Sequence, residues 1–77
     1  MLTQRERDCL VLTGQGHSEK EVALALDISP NTVRVHIEKA KRKLGAANKS
    51  HALILALLSG EMELADYLEE KAADPAH

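Results

Sequence analysis

Ser18–Leu44, SEKEVALALDISPNTVRVHIEKAKRKL, decides the fold of this chain. Ser18 with Glu21 three residues on has the pattern of a capping box, in which a hydroxyl and a carboxylate satisfy each other's backbone N–H groups at a helix start. Eleven residues later Ser29 repeats the N-cap, and Pro30 stands at the first helical position, where a missing N–H costs nothing. The spacing predicts a helix of about two turns, a tight turn at Asp27–Ile28, and a longer helix from Pro30 to Leu44 with Gly45 as its terminator. Within that helix Val33, Ile37, Ala40 and Leu44 fall on one stripe, and Arg34, Val35, Glu38, Lys41 and Arg42 lie on the opposite face. Two short helices joined this way make a helix-turn-helix, whose second helix can enter a DNA major groove. Bundles of unrelated function share the pattern. The free face discriminates: Asn31, Thr32 and Arg34 offer an amide, a hydroxyl and a guanidinium, the groups that reach base edges and phosphates.

Outward from this stretch the chain reads as helix on both sides. Thr3 and Glu6 form another capping box before a helix over Gln4 to about Gly14, with Leu2 stapling its entry and Gly14 and Gly16 ending it. Cys9, Leu10 and Thr13 share its inner face. Val22, Ala23, Leu26 and Ile28 give the second helix its apolar side, and Ala23 and Ala25 are small enough for close helix approach. A fourth helix is expected from Asn48 or Lys49 to about Ser59, and its run Ala52–Leu58 is apolar throughout. A surface helix needs apolar residues on only one side, so a second cover is required. Residues 61–73 have the pattern of an acidic amphipathic helix, with Met62, Ala65, Leu68 and Ala72 along one side, fraying into 74–77.

The chain has 77 residues, enough for one small domain. It is 44% hydrophobic with one Tyr and no Phe or Trp, so the core is aliphatic and the expected class is all-α. One cysteine excludes an internal disulfide and a multi-cysteine zinc site, and fits a reducing compartment. No leader-like segment and no apolar run of membrane-spanning length is present, so a cytoplasmic location without membrane contact is expected. The net charge of −2 conceals an asymmetry: residues 1–58 carry nine Lys/Arg against six Asp/Glu, whereas residues 59–77 carry one Lys against six Asp/Glu. The helical domain is therefore basic and the acid is in the tail, which suits an anionic partner for the former.

The motifs resemble the LuxR/GerE-type helix-turn-helix DNA-binding domain of bacterial transcription regulators. The resemblance is carried by Leu2-Thr3 with Arg5-Glu6, Gly16-His17-Ser18, Lys20-Glu21-Val22-Ala23, Leu26, Ile28-Ser29, Thr32-Val33, His36, Lys43-Leu44-Gly45-Ala46, Asn48-Lys49 and Ala52. Region 4 of sigma factors shares the first two thirds of this pattern, but the segment from His36 through KLGAANKSHA favours the LuxR type. The resemblance implies a four-helix domain over residues 1–60, followed by the acidic extension 61–77. It also implies a recognition helix over about 30–44 and a two-fold dimer formed through the fourth helix, with Leu53, Ala56 and Leu57 expected on the exposed seam; the alternative is that residues 61–73 fold back and cover this face in a monomer. Base-edge contacts are expected from Arg34, Val35 and Glu38, and phosphate contacts from Ser18, Lys20, Ser29, Asn31, Thr32, Lys39 and Arg42. The expected partners are double-stranded DNA, a second copy of the chain, and RNA polymerase as a further candidate.

Glu38 departs from the family habit of a donor at its position. As a carboxylate it accepts from cytosine N4, or else it pairs with Arg34 or Arg42. His36 has no nucleophile or carboxylate at a catalytic spacing and is expected to pack or to touch phosphate. Glu6 reads as a cap and internal ion-pair partner, and Cys9 as core filling. His17, His51 and His77 do not combine with Cys9 in a ligand spacing, so neither metal nor cofactor is expected, and no enzymatic activity. An interaction module using the fourth helix and the tail, with DNA binding weak or lost, is the alternative. Both a single-domain protein and the C-terminal domain of a longer regulator fit this sequence.

Overall fold

The computed structural model describes residues 1–63 and Ala65. Four helices make up the chain's regular structure there: α1 (Gln4–Gly14), α2 (Glu19–Leu26), α3 (Pro30–Leu44) and α4 (Lys49–Ser59). Their starts are fixed by side chains. Thr3 and Ser18 close complete capping boxes with Glu6 and Glu21, Ser29 accepts from Thr32 N–H, and Asn48 accepts from His51 N–H. At α4 the imidazole reaches back as well, its Nδ1 accepting the Ala47 N–H at 3.0 Å.

The ends of α2 and α3 share one device. Gly45 (φ 71°) lets its own N–H reach the Arg42 carbonyl and Ala46 N–H reach Lys41, which closes α3 in a left-handed turn. The same two bonds close α2, but the left-handed residue there is Asp27 (φ 59°), a conformation that disfavours residues with a Cβ. A short polar side chain tolerates it best, and this turn sets the crossing of α2 and α3. At the end of α1 only Gly16 takes a positive φ, while Gly14 is the last helical residue.

α3 is the hub, packing against α1, α2 and α4. The core joins Leu2, Cys9, Leu10, Val22, Ala23, Val33, Ile37, Ala40, Ala52, Ala56 and Met62, with Leu44 half-buried beside it. The expected apolar stripe of α3 is thus the buried one. Ala23 is buried as a close-approach residue, but Ala25 faces solvent. Burial of Cys9, with Asp8 adding its charge, pushes its thiol up to about 11, so it stays protonated and packs as a small hydrophobe.

Residues 61–63 are not helical, contrary to the expectation from sequence. Gly60 (φ 82°) turns the chain back, Met62 N–H donates to the Ala56 carbonyl, and the Met62 side chain enters the core. Glu61 ties the return to α1: its backbone carbonyl accepts from Arg7 Nε at 2.8 Å, and its carboxylate lies 3.4 Å from Arg7 Nη2. Ala65 is helical; the other residues of the expected tail helix beyond Glu63 and the fraying end lie outside the described residues.

One buried charge also holds α1 to α3. Glu6 is almost fully buried; its Oε1 accepts from Thr3 N–H at 2.9 Å and from Lys43 Nζ at 2.9 Å. Burial opposes its ionisation, but the Thr3 N–H and the Lys43 ammonium outweigh that and hold the carboxyl below its ordinary value of 4.5. A carboxyl depressed on folding contributes stability above its unfolded pKa, and this is lost as pH falls through the folded value. Glu6→Gln is expected to cost about 1–2 kcal/mol at neutral pH, because the amide keeps the cap but strands the ammonium, which solvent reaches in part. The difference between wild type and variant should shrink below about pH 4.5 in urea denaturation, where the wild-type carboxyl takes up its proton. A difference that is constant between pH 3 and pH 7 contradicts the ion-pair account.

Candidate nucleic-acid interface

The outer face of α3 begins one residue after the turn that joins it to α2. Ser29 caps the helix, and its hydroxyl and that of Thr32 lie 2.8 Å apart, so one proton bridges them and the other stays free to donate. Asn31, Arg34, Val35 and Glu38 are all exposed, one to two turns further along. Val35 is 42% exposed although apolar, an arrangement that suits contact with another apolar group.

The polar groups of this face are already in register with one another. Arg34 reaches across to α2, its Nη2 lying 3.0 Å from Glu19 Oε1 and its Nε 3.4 Å from Oε2. Its Nη1 donates to Asn31 Oδ1 at 3.3 Å. The bond from Arg34 lowers the Glu19 carboxyl below its ordinary value, and the same bond raises Arg34. Glu38 pairs with Lys41 at 3.1 Å. This corrects the expected pairing with Arg34 or Arg42: Lys41 is one turn away on the same helix, and Arg34 is held by Glu19.

Cations surround the face. Lys20, Lys39 and Arg42 are exposed, and so is Lys49 at the first position of α4. The Lys49 charge contributes, after Arg34, to holding the Glu19 carboxyl below its ordinary value, so it acts on the start of α2 from across the face. The sequence placed Lys49 at the start of the fourth helix and within the resemblance, but not among the expected phosphate contacts. Its signal is a cation at a helix N-terminus, where the dipole disfavours one unless an anion arrives. Ser18 stands at the same end of α2, its hydroxyl oxygen accepting from Glu21 N–H and its proton still available. Together these groups form a band of donors and positive charge around a few residues that can read chemistry in a groove.

His36 is half-buried, and its Nδ1 is buried without a hydrogen-bond partner. Among the described residues no group of three or more His, Cys, Asp and Glu is placed to hold a metal. A groove of about 410 Å³ between α1 and the end of α2, lined in part by Gln4, Asp8, Val11 and Leu26, shares no residue with the α3 face. No described helix is long and apolar enough to cross a membrane.

Residues 1–56 match the GerE family of bacterial regulatory proteins, the luxR family. The chain belongs to the LuxR family. It is 45% identical over 64 residues to the spore germination protein GerE of Bacillus subtilis, covering 83% of this chain and 86% of that protein. Over 60 residues it is 40% identical to the transcriptional activator protein VanR of Vibrio anguillarum, and over 57 residues 46% identical to the nitrate/nitrite response regulator NarP of Escherichia coli. These matches cover 78% and 74% of this chain but only 25% of VanR and 26% of NarP, so the chain spans most of GerE and about a quarter of the longer regulators. The solved structure of the transcription factor GerE superposes with a TM-score of 0.78 at 40% identity, covering 82% of this chain and 94% of that one. The four-helix arrangement is thus the LuxR-family DNA-binding domain of a transcription regulator, with α2 and α3 as its helix-turn-helix.

The fourth helix corrects one expectation. Ala56 is fully buried against the other helices, and Leu53 and Leu57 pack partly on the core. The apolar side chains that α4 leaves outside are Ile54, 55% exposed, and Leu58, 78% exposed. Ala52 and Ala56, one turn apart, are the small residues that let α4 approach its neighbours, and this turns Ile54 and Leu58, on the opposite side of the helix, outward.

Proposed function

We propose that the protein is a sequence-specific DNA-binding transcription regulator, or the effector domain of one, with α3 laid in the major groove. The observation that carries this reading is the exposed constellation of Asn31, Arg34, Val35 and Glu38 within a band of cations. Arg34 meets guanine O6 and N7, Val35 packs on a thymine methyl, and Glu38 accepts from cytosine N4 once it leaves Lys41. Ser18, Lys20, Ser29, Asn31, Thr32, Lys39 and Arg42 hold phosphates, with Lys49 added as an exposed cation at the N-terminus of α4. The protein binds and does no bond chemistry.

Dimerisation through α4 completes the proposal. Two copies related by a two-fold axis place two recognition helices on half-sites about one helical turn apart. The seam is centred on Ile54 and Leu58, with Leu57 at its edge, and no longer on Ala56. RNA polymerase is a further proposed partner, since relatives such as VanR are named transcriptional activators.

The test of this function is selection of DNA by the full chain from a duplex pool with a randomised core, followed by titration at several salt concentrations. A palindromic preference, with affinity falling steeply as salt rises, supports it. Absence of DNA binding while α4 association persists favours the interaction-module alternative. The double variant Ile54→Glu with Leu58→Glu is expected to fold, since both side chains already face water. It should sediment as a monomer on the selected duplex and bind it at least about 10-fold more weakly, because the second half-site no longer benefits from linkage to the first. Unchanged affinity and a two-to-one complex would move the seam elsewhere.

A further inference from the structure

We propose that Glu19 is a positioning residue for base recognition, fixing which edge of the Arg34 guanidinium is presented to DNA. The inference rests on Arg34 meeting a base edge, as proposed above. A guanidinium carries five N–H donors in a rigid plane. Glu19 occupies the edge formed by Nε and Nη2, at 3.4 and 3.0 Å, and Asn31 accepts from Nη1 at 3.3 Å. Three donors are thereby engaged. One N–H on each terminal nitrogen remains, and the edge between those two nitrogens is the one Glu19 leaves open. Two N–H groups in one plane match the paired O6 and N7 acceptors of guanine.

The contact also supplies selectivity that Arg34 alone lacks. An arginine on an exposed helix has many rotamers, and the nearest strong acceptors on DNA are phosphates, which carry no sequence information. Glu19 and Asn31 hold the side chain from both sides. The Glu19 carboxylate, at the first position of α2, also repels a phosphate approaching that edge. Fifteen residues separate Glu19 from Arg34, and the tight turn at Asp27 brings them together. The arrangement exchanges some non-specific affinity for discrimination.

Wild type, Glu19→Gln, Glu19→Asp, Arg34→Ala and the double variant Glu19→Gln with Arg34→Ala are each equilibrated, as full chains, with a duplex pool carrying a randomised core, and the bound DNA is sequenced. Wild type should select guanine at one position of each half-site, and Arg34→Ala should lose that preference. Glu19→Gln should still bind the unselected pool at least as well as wild type, with its guanine preference at that position reduced about 3- to 10-fold, a part of the discrimination of one bidentate contact. Glu19→Asp, charged but shorter, should behave like Glu19→Gln, and the double variant should select no worse than Arg34→Ala. Wild-type guanine preference in Glu19→Gln overturns the role of Glu19 while leaving Arg34 as reader. A preference reduced equally at every position also overturns it. If Arg34→Ala selects as wild type does, the underlying reading of Arg34 fails, and this inference with it.

Discussion

Arg34→Ala should lower affinity for the selected palindrome by roughly 30-fold or more while binding to random duplex falls far less. One bidentate arginine–guanine contact discriminates by about 5- to 150-fold, and a two-fold dimer carries two of them. The side chain is 57% exposed and its ion pair with Glu19 lies at the surface, so the variant is expected to fold, which circular dichroism checks. Lys39→Ala or Lys49→Ala should behave differently: each removes a phosphate partner, weakens all sequences alike and reduces the salt slope by about one. Fluorescence anisotropy with the selected duplex and with a scrambled one separates the two classes. Equal losses on both duplexes in Arg34→Ala would demote it to a phosphate contact.

Met62→Ala should be the most destabilising single change outside the helices, at about 2–4 kcal/mol. The side chain is among the largest that are fully buried, although it lies beyond α4 in a stretch flanked by glutamates. Removing it leaves a cavity among aliphatic neighbours that have no aromatic residue to fill it. For a domain of this size the loss corresponds to about 10–25 °C in Tm, readable by circular dichroism. A drop below about 3 °C would mean that the return of the chain at Gly60 contributes little to the fold.

The sequence made local chemistry legible. Thr3, Ser18, Ser29 and Asn48 stand where the helices begin because each cap is decided by residues three positions apart, and Gly45 ends α3 for the same local reason. The buried stripe Val33, Ile37 and Ala40 was readable from its period, and the exposed face followed as its complement. α4 has no such period. Its run Ala52–Leu58 is apolar on all sides, so its rotation is set by packing, and the pair Ala52 and Ala56 was the only cue. Met62 was legible as apolar but was placed on a tail helix: the turn at Gly60 and the bond from Arg7 to Glu61, 54 residues apart in sequence, accompany its entry into the core. The Glu19–Arg34 pair was hidden likewise, since it depends on the crossing angle set at Asp27. The family match reaches residue 56, and it supplies the DNA-binding function. The proposed role of Glu19 rests instead on its contact with Arg34, and that of Lys49 on its exposed charge at the start of α4.

Amide chemical-shift mapping of the labelled chain, titrated with its selected duplex, shows whether the outer face of α3 meets the DNA. The largest perturbations should fall on Ser18–Lys20, Ser29–Glu38 and Lys49, with the Arg34 side-chain Nε–H shifting strongly. Perturbations confined to α1 and the groove beside Leu26, with Asn31–Glu38 unmoved, would contradict it.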